Sequence, residues 1–245
     1  VDNMDFETAL KMAQDLGFAE KDPTADIEGH DACRKICILA ALGFGKHVYP
    51  DQVKTEGITN ITLRDVAYAD KFDCVIKLIG HAKKLDNGKI TATVRPTLVN
   101  RNCILSGVNG VFNAVMLNGD QTGEVVFYGK GAGKEATASA VVADIMDCIK
   151  HMDNRKNLYW VDGDNDYVDT AYDPKGRLFV LIKSDDFDGL VSQFEAIFGK
   201  DIKAVKCESL GEIAFVTEKE ALTKTQEKLS LFKNGISIKT LNTML

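Results

Sequence analysis

The stretch CVIKLIGHAKKLDNGKITATV, residues 74–94, predicts the sheet around which the rest of the chain is arranged. Two segments, 74–84 and 89–94, are apolar or alternate between apolar and polar residues, and they flank Asp86-Asn87-Gly88. An Asn-Gly pair supplies the positive φ angles that a tight hairpin turn demands. We therefore expect two antiparallel strands joined by this turn.

Three helices are predicted before this hairpin. Apolar residues at helical spacing mark the first over residues 6–16, with Asp5 as its N-cap. The second, over 27–42, is apolar on most of its circumference, and we expect it to be buried. Thr62 and Asp65 have the spacing of a capping box and predict the start of the third.

A second hairpin and a further helix follow. Segments 110–117 and 123–128 flank Asn118-Gly119-Asp120, and a glycine-rich turn at 129–133 leads into the helix. The apolar side of that helix carries Ala138, Val141, Val142, Ile145 and Cys148. Residues 1–150 therefore predict an α+β domain, with helices packed on a mixed, largely antiparallel sheet.

The remaining residues predict a second domain after a linker. Residues 151–171 are polar and acidic, which is typical of a linker or an irregular loop. Residues 172–245 then show a ferredoxin-like βαββαβ order. Its strands are expected at 177–183, 202–207, 212–216 and 236–241, its first helix at 189–198, and its second helix after a capping box formed by Thr217 and Glu220.

Composition disfavours several classes of function. The net charge of −6 argues against a nucleic acid or an anionic membrane as partner, since both select clustered Lys and Arg. No apolar run approaches the roughly 20 residues that cross a bilayer, and the N-terminal residues lack the layout of a secretory signal. The six cysteines include no CxxC pair. We therefore expect reduced thiols in a cytoplasmic protein, and no metal site.

One acidic segment has the spacing of a calcium-binding loop. Asp162, Asp164, Asp166 and Asp173 fall at EF-hand positions, but Tyr167 occupies the position where glycine is needed. We interpret the segment as a solvated acidic loop.

Residues that could carry chemistry are concentrated in LGFAEKDPTADIEGHDACRK, residues 16–35. Asp31 and Lys35 are four apart, so a helix places them on one face. The same stripe continues through Ile38 and Leu42, and we expect the charged pair at the edge of a buried pocket. Two interpretations stay open from the residues alone. One is an exposed ion pair with Asp26 as a helix N-cap; the other is a set of carboxylates that bind a polar substrate beside a proton-transferring lysine.

This stretch resembles the catalytic signature of the homoserine dehydrogenases. In that family a glycine-aromatic-Ala-Glu-x-Asp-Pro segment precedes an Asp-x-x-Gly-x-Asp-x-x-x-Lys segment. The matching positions are Gly17, Phe18, Ala19, Glu20, Asp22, Pro23, Asp26, Gly29, Asp31 and Lys35. The resemblance continues through residues 108–145, so it covers essentially all of residues 1–150 and implies a catalytic and dimerisation domain.

The resemblance implies an oxidoreductase that interconverts L-aspartate 4-semialdehyde and L-homoserine with NADP or NAD, in threonine and methionine biosynthesis. Glu20 and Asp26 would bind the amino-acid substrate. Lys35 would donate the proton to the carbonyl oxygen, with Asp31 orienting the lysine. Gly131, in the glycine-rich turn, would contact the cofactor, although Ala136 stands where the family usually has proline.

The family's dinucleotide-binding half precedes its catalytic half, and the chain contains no strand–GxGxxG–helix pattern. We therefore expect a fragment without that domain, inactive on its own. Residues 172–245 resemble an ACT domain through the segment 186–191, where Asp188 replaces the family's proline and Val191 its leucine. An ACT domain implies L-threonine as a possible effector and a homodimer or tetramer as the assembly. The alternative is an amino-acid-binding or oligomerisation module without catalytic activity.

Overall fold

A computed structural model describes residues 4–154, 161–184, 186–200, 202–207, 211–232 and 238–244. Its helices are α1 (Phe6–Asp15), α2 (Thr24–Ile27), α3 (His30–Phe44), α4 (Leu63–Lys71), α5 (Lys134–Lys150), α6 (Phe187–Phe198) and α7 (Leu222–Leu229). Its strands are β1 (Lys54–Thr55), β2 (Cys74–Lys84), β3 (Ile90–Asn100), β4 (Phe112–Gly119), β5 (Gly123–Lys130), β6 (Lys175–Gly176), β7 (Leu178–Lys183), β8 (Lys203–Cys207), β9 (Glu212–Val216), β10 (Glu220–Ala221) and β11 (Ile238–Met244). Among the helices of these ranges, none is long and apolar enough to span a membrane.

The two predicted hairpins are both present. β2 and β3 pair antiparallel from Cys74↔Asn100 to Lys84↔Ile90, so this hairpin extends further than the sequence indicated. Gly88 takes a φ of 81° in its turn, as the Asn-Gly pair predicted. β4 and β5 form the second hairpin, from Phe112↔Lys130 to Gly119↔Gly123.

One sheet runs through the N-terminal and C-terminal parts of the chain. Its strand order is β1-β3-β11-β7-β9-β8, with β2 also paired to β3. Within it, β11, β7, β9 and β8 pair antiparallel. Together with α6 and α7 they form the predicted βαββαβ arrangement. β11 also pairs parallel with β3 at Asn242↔Thr97, Thr243↔Leu98 and Met244↔Val99. The α+β fold class is confirmed, and the C-terminal sheet continues the sheet of the first hairpin.

Strand β7 is buried on both faces, which explains its continuous apolar sequence Leu-Phe-Val-Leu-Ile. Phe179 and Leu181 pack with Tyr68 and Ala69 of α4 and with Phe72, the residue directly after that helix. The alternate residues of β7 pack under α6 and α7, together with Phe194, Phe198, Ile213 and Phe215. A third core joins α3 to β3 and includes Cys33, Cys37, Ile90 and Val94. The C-terminal sheet is thus held between its own helices and a helix of the N-terminal part.

Two of the predicted helix starts are confirmed. The Asp5 side chain accepts a hydrogen bond from the Thr8 N–H at 2.8 Å and caps α1. Thr62 and Asp65 form the predicted capping box of α4, because the Asp65 carboxylate accepts from the Thr62 N–H at 2.8 Å and the Thr62 side chain accepts from the Asp65 N–H.

Two other helix predictions were wrong at their starts. The helix expected over 27–42 is interrupted at Gly29, whose φ of 77° lies in the left-handed region, and α3 begins only at His30. Thr217 and Glu220 do not form a capping box. The Thr217 hydroxyl accepts from the Leu178 N–H at 2.9 Å, Glu220 lies in β10, and α7 starts after Ala221.

Residues 161–169, inside the segment predicted as a linker, pack against the N-terminal part. Val161 bridges to Lys46, and Val168 bridges to Ile90. Tyr167 and Val168 are buried in the core between α3 and β3. Residues 161–169 are therefore held by apolar packing as well as by these two backbone bridges.

The apolar side of α5 is exposed in this chain. Val141, Val142 and Ile145 each leave about half of their surface accessible, at 53%, 58% and 52%. We predicted this stripe from its helical spacing, but the described residues do not cover it.

Candidate active site

Two glycines allow the turn that carries the acidic residues to lie close to its neighbours. Gly29 combines its positive φ with a tight approach to Thr55 and Val94, where an added Cβ would lie 3.3 Å from each side chain. A Cβ on Gly57 would lie 2.3 Å from the Ile27 carbonyl oxygen and 2.5 Å from the Glu28 Cα. These contacts press the α2–α3 turn against the chain that follows β1, and the Ile58 N–H donates to the Ile27 carbonyl at 2.7 Å.

Asp31 and Lys35 form the ion pair that their spacing predicted. The Lys35 Nζ lies 2.6 Å from the Asp31 Oδ2, and the two side chains are 57% and 43% exposed. Ile38 and Leu42, on the same stripe of α3, are 53% and 56% exposed. The expectation that the pair lies at the edge of a buried pocket was therefore wrong for this chain, because α3 packs on the sheet through Cys33, Cys37, Ala40 and Ala41 instead.

Asp26 lies in the short helix α2, with its side chain exposed. It is not a helix N-cap, since Pro23 precedes α2 and Gly29 precedes α3. Asp22 binds the start of α2 instead: its Oδ1 accepts from the Thr24 N–H at 3.1 Å and from the Thr24 hydroxyl at 2.6 Å. These two hydrogen bonds lower the pKa of Asp22. The Asp26 carboxylate is thus not needed to cap either helix.

Glu20 lies between α1 and α2, and its side chain is exposed. Its backbone carbonyl accepts a hydrogen bond from the Gln14 Nε2 at 3.0 Å, which ties this connection to α1. Glu20, Asp26 and the Asp31–Lys35 pair therefore follow one another along a continuous stretch with accessible side chains.

Gly131 lies on a different element, after the end of β5. Its N–H donates to the Val111 carbonyl at 2.9 Å, and a Cβ at this position would lie 1.3 Å from the Asn113 Nδ2. A side chain at this position would displace the exposed Asn113 side chain, so glycine allows the close approach of β4 and the turn without a bound cofactor. Gly133 then precedes α5 with a φ of 109°, and no side chain caps that helix. The structure thus places Gly131 and Gly133 in the turn between β5 and α5, on a different element from Glu20, Asp26, Asp31 and Lys35.

A cavity of about 460 Å³ lies beside α3, between β2 and β4. It is lined mainly by apolar side chains, including Ile36, Leu39, Phe44, Leu78 and Val115. None of the five predicted site residues lines it. At its wall, the Lys77 Nζ donates to the Val108 carbonyl at 2.5 Å and to the Asn109 Oδ1 at 2.8 Å, and burial lowers the pKa of Lys77.

Sequence reasoning did not single out Lys77. A lysine in an alternating strand is usually solvated, and no local pattern showed that its amine binds the loop before β4. The contact connects β2 to that loop, so it stabilises the wall of the cavity.

The acidic segment that has EF-hand spacing directs its carboxylates to different protein groups. Asp162 accepts from the Tyr49 hydroxyl at 2.5 Å, Asp164 pairs with Lys46 at 2.8 Å, and Asp166 pairs with Lys89 at 2.9 Å. The Lys46 and Lys89 hydrogen bonds hold the pKa values of Asp164 and Asp166 below their usual range. Within the described ranges, no group of three or more His, Cys, Asp or Glu side chains is placed to hold a metal ion.

Comparison with known proteins identifies the family. The sequence model described as homoserine dehydrogenase matches residues 1–146. The homoserine dehydrogenase of Bacillus subtilis is 48% identical over 147 residues, which are 60% of this chain and 34% of that protein. The homoserine dehydrogenase of Mycobacterium tuberculosis is 38% identical over 206 residues, which are 80% of this chain and 46% of that protein. The chain thus spans between a third and a half of the length of these curated relatives.

Solved structures match almost the whole chain. A homoserine dehydrogenase from Thiobacillus denitrificans superposes with a TM-score of 0.83 at 29% identity, over 99% of this chain and 59% of that one. The homoserine dehydrogenase of S. aureus gives a TM-score of 0.79 at 30% identity, over 100% of this chain and 60% of that one. The match therefore includes the C-terminal βαββαβ part as well as the segment with the acidic motif. By its sequence and its fold, this chain belongs to the homoserine dehydrogenase family.

Proposed function

We propose that the chain is the catalytic and C-terminal part of an enzyme that interconverts L-homoserine and L-aspartate 4-semialdehyde with NADP or NAD. The observation that carries this proposal is the exposed Asp31–Lys35 pair, held at 2.6 Å on α3 within a family-matching segment. An ordinary exposed i,i+4 ion pair contributes only about 0.3–0.5 kcal/mol to stability. Because the pair contributes so little to the free energy of unfolding, its side chains can take part in catalysis without destabilising the fold.

In this proposal Lys35 is the general acid for aldehyde reduction. When bound, a nicotinamide cofactor would supply the hydride to the carbonyl carbon. The carbonyl oxygen takes the Lys35 proton as the C=O bond becomes a C–O bond, and the product is the alcohol. In the direction of homoserine oxidation, neutral Lys35 removes the hydroxyl proton. Asp31 fixes the direction of the ammonium group and stabilises its charge.

Glu20 and Asp26 are proposed to bind the amino-acid end of the substrate. Their exposed carboxylates precede the Asp31–Lys35 pair in the chain, and an α-ammonium group is a suitable partner for them. Gly131 is proposed as one backbone contact to the cofactor. The glycine-rich pattern of a dinucleotide fold is not present in this sequence, so most cofactor contacts belong to the half that precedes the catalytic half in the family.

The decisive experiment compares Lys35→Ala with Lys11→Ala in the full-length enzyme. Lys11 forms a more exposed i,i+4 pair with Asp15 on α1, at 70% and 62%, and has no proposed role. We expect Lys35→Ala to lower kcat for homoserine-dependent reduction of NAD(P)⁺ about 10²–10⁴-fold with little change in KM, and Lys11→Ala to leave both unchanged.

Either of two outcomes would count against the proposal. If Lys35→Ala keeps nearly the activity of the parent, Lys35 is a member of a structural ion pair and not the general acid. A parent enzyme that does not oxidise homoserine at all would remove the proposed activity itself.

We propose residues 1–150 as the catalytic and dimerisation domain, 151–171 as a connection, and 172–245 as an ACT-like regulatory domain. The whole enzyme would be a cytoplasmic homodimer or tetramer of threonine and methionine biosynthesis. Asp186 caps α6 by accepting from the Gly189 N–H at 2.9 Å, and Asp188 lies in the first turn. An L-threonine effector would present its ammonium group to these carboxylates. Isothermal titration calorimetry of the chain with L-threonine tests this role. Saturable heat supports an effector site, and the absence of heat favours a domain that serves only in assembly.

A further inference from the structure

Glu212, at the start of β9, is a buried carboxylate that connects the C-terminal sheet to the N-terminal part. Its side chain is 1% exposed, and its Oε1 lies 2.7 Å from the Arg64 guanidinium. Its Oε2 accepts from the Tyr68 hydroxyl at 3.4 Å. Arg64 and Tyr68 both lie on α4. A buried carboxylate is costly without such partners, so β9 and α4 hold each other in a defined position.

The start of α4 is connected in turn to the acidic motif. Four residues before Thr62, the Ile58 N–H donates to the Ile27 carbonyl at 2.7 Å, and the Ile61 N–H donates to the Ile58 carbonyl at 2.9 Å. Gly57 is in such close contact with Ile27 and Glu28 that it has no room for a Cβ. These contacts connect the segment before α4 directly to the turn between Asp26 and Asp31.

We propose that Glu212 is a positioning residue for the substrate site, acting through Arg64 on α4 and the 57–62 segment. This inference rests on the proposed function, which makes Asp26 and Asp31 substrate-site residues. Loss of the Glu212 charge releases Arg64, loosens the start of α4 and widens the range of positions that the Asp26–Asp31 turn adopts. The expected consequence is weaker substrate binding with an intact proton-transfer group.

The alternative is a purely structural role, in which Glu212 only stabilises the C-terminal sheet. Its neighbour Ile213 offers a matched control, because this fully buried side chain points to the opposite face of β9 and packs under α6 and α7. Glu212→Gln and Ile213→Val change adjacent positions of one strand, but only the first touches α4. Urea unfolding establishes how far each variant is destabilised globally.

The first measurement is hydrogen–deuterium exchange of this chain, read on peptides that cover residues 24–35 and 56–71. Losing a hydrogen bond to a charged group corresponds to about tenfold faster opening or more. We expect Glu212→Gln to accelerate exchange about tenfold in both peptides, beyond any change that Ile213→Val produces. Arg64→Lys, which keeps a positive charge beside Glu212, should restore slower exchange relative to Arg64→Met.

The second measurement is steady-state kinetics of the same variants in the full-length enzyme. Glu212→Gln should raise KM for homoserine several-fold and leave kcat within about twofold, whereas Ile213→Val should change neither. The proposal is overturned if residues 24–35 exchange alike in the two variants, or if their KM values are equal. A parent enzyme inactive with homoserine would refute the proposed function, and the exchange pattern would still decide whether Glu212 holds the turn.

Discussion

Phe179→Ala tests whether the C-terminal βαββαβ part and the N-terminal part fold as one unit. Phe179 is 1% exposed, and its ring centroid lies 6.4 Å from that of Tyr68 on α4 and 5.9 Å from that of Phe72, directly after α4. Truncating a buried phenylalanine costs about 3–5 kcal/mol. With a urea slope of about 2–3 kcal/mol per M, the unfolding midpoint should fall by about 1–2.5 M.

The assay needs a probe on each side of this contact. Far-ultraviolet circular dichroism reports the whole chain, and labelling of Cys33 and Cys37 reports the core beneath α3, where these thiols are 4% and 5% exposed. Peptide mass spectrometry separates their labelling from that of the other cysteines. If β11 and the α4 core join the two parts into one cooperative unit, both probes shift together in Phe179→Ala.

Phe179→Leu is the control, since it keeps most of the buried volume and should cost less than about 1.5 kcal/mol. The reasoning fails if the Cys33 and Cys37 labelling midpoint stays at its parental value while circular dichroism shows an earlier transition. That result would mean that the C-terminal part unfolds by itself and that its contacts with α4 contribute little.

Two further predictions concern the turn and the acidic segment. Gly57→Ala should lower the free energy of unfolding by about 1–3 kcal/mol, because the new methyl meets the Ile27 carbonyl at 2.3 Å. Gly43→Ala, in open space on α3, should leave that free energy unchanged or raise it. Equal melting temperatures of the two variants would contradict this prediction. The depressed pKa values of Asp164 and Asp166 mean that their stabilising contribution is present above the unfolded pKa and is lost as pH falls through the folded pKa. The double variant Asp164→Asn, Asp166→Asn should therefore lose less melting temperature than the parent between about pH 5 and pH 2.5 in scanning calorimetry, and parallel curves would refute the assignment.

Much of the local structure could be predicted because it depends on neighbours in sequence. Asp5 and the Thr62–Asp65 box cap helices through residues three positions away, and the Asn87-Gly88 turn sets the first hairpin. The Asp31–Lys35 pair likewise needs only one helical turn between its members. The motif in residues 16–35 also predicted the family, which the comparison confirmed.

The helix interruption at Gly29 and the absence of a capping box at Thr217 could not be predicted from neighbours in sequence. Gly29 adopts a positive φ where the turn meets Thr55 and Val94, which are distant in sequence. The Thr217 hydroxyl accepts a hydrogen bond from the Leu178 N–H across the sheet, and α7 begins only after Ala221. In both cases a long-range contact competes with a local signal and determines the outcome.

The sequence by itself determined the two hairpins, the βαββαβ order and most of the helices, and its resemblance to the family named the residues proposed for catalysis. Only the tertiary structure decided which faces are covered: the stripe of Lys35, Ile38 and Leu42 is exposed, while β7 is buried on both sides. It alone showed that β11 joins β3 and that Glu212 reaches Arg64, 148 residues away in the chain. The physical reason is that periodicity specifies the apolar side of an element, whereas the element that packs there is selected by long-range contacts that the local pattern does not contain.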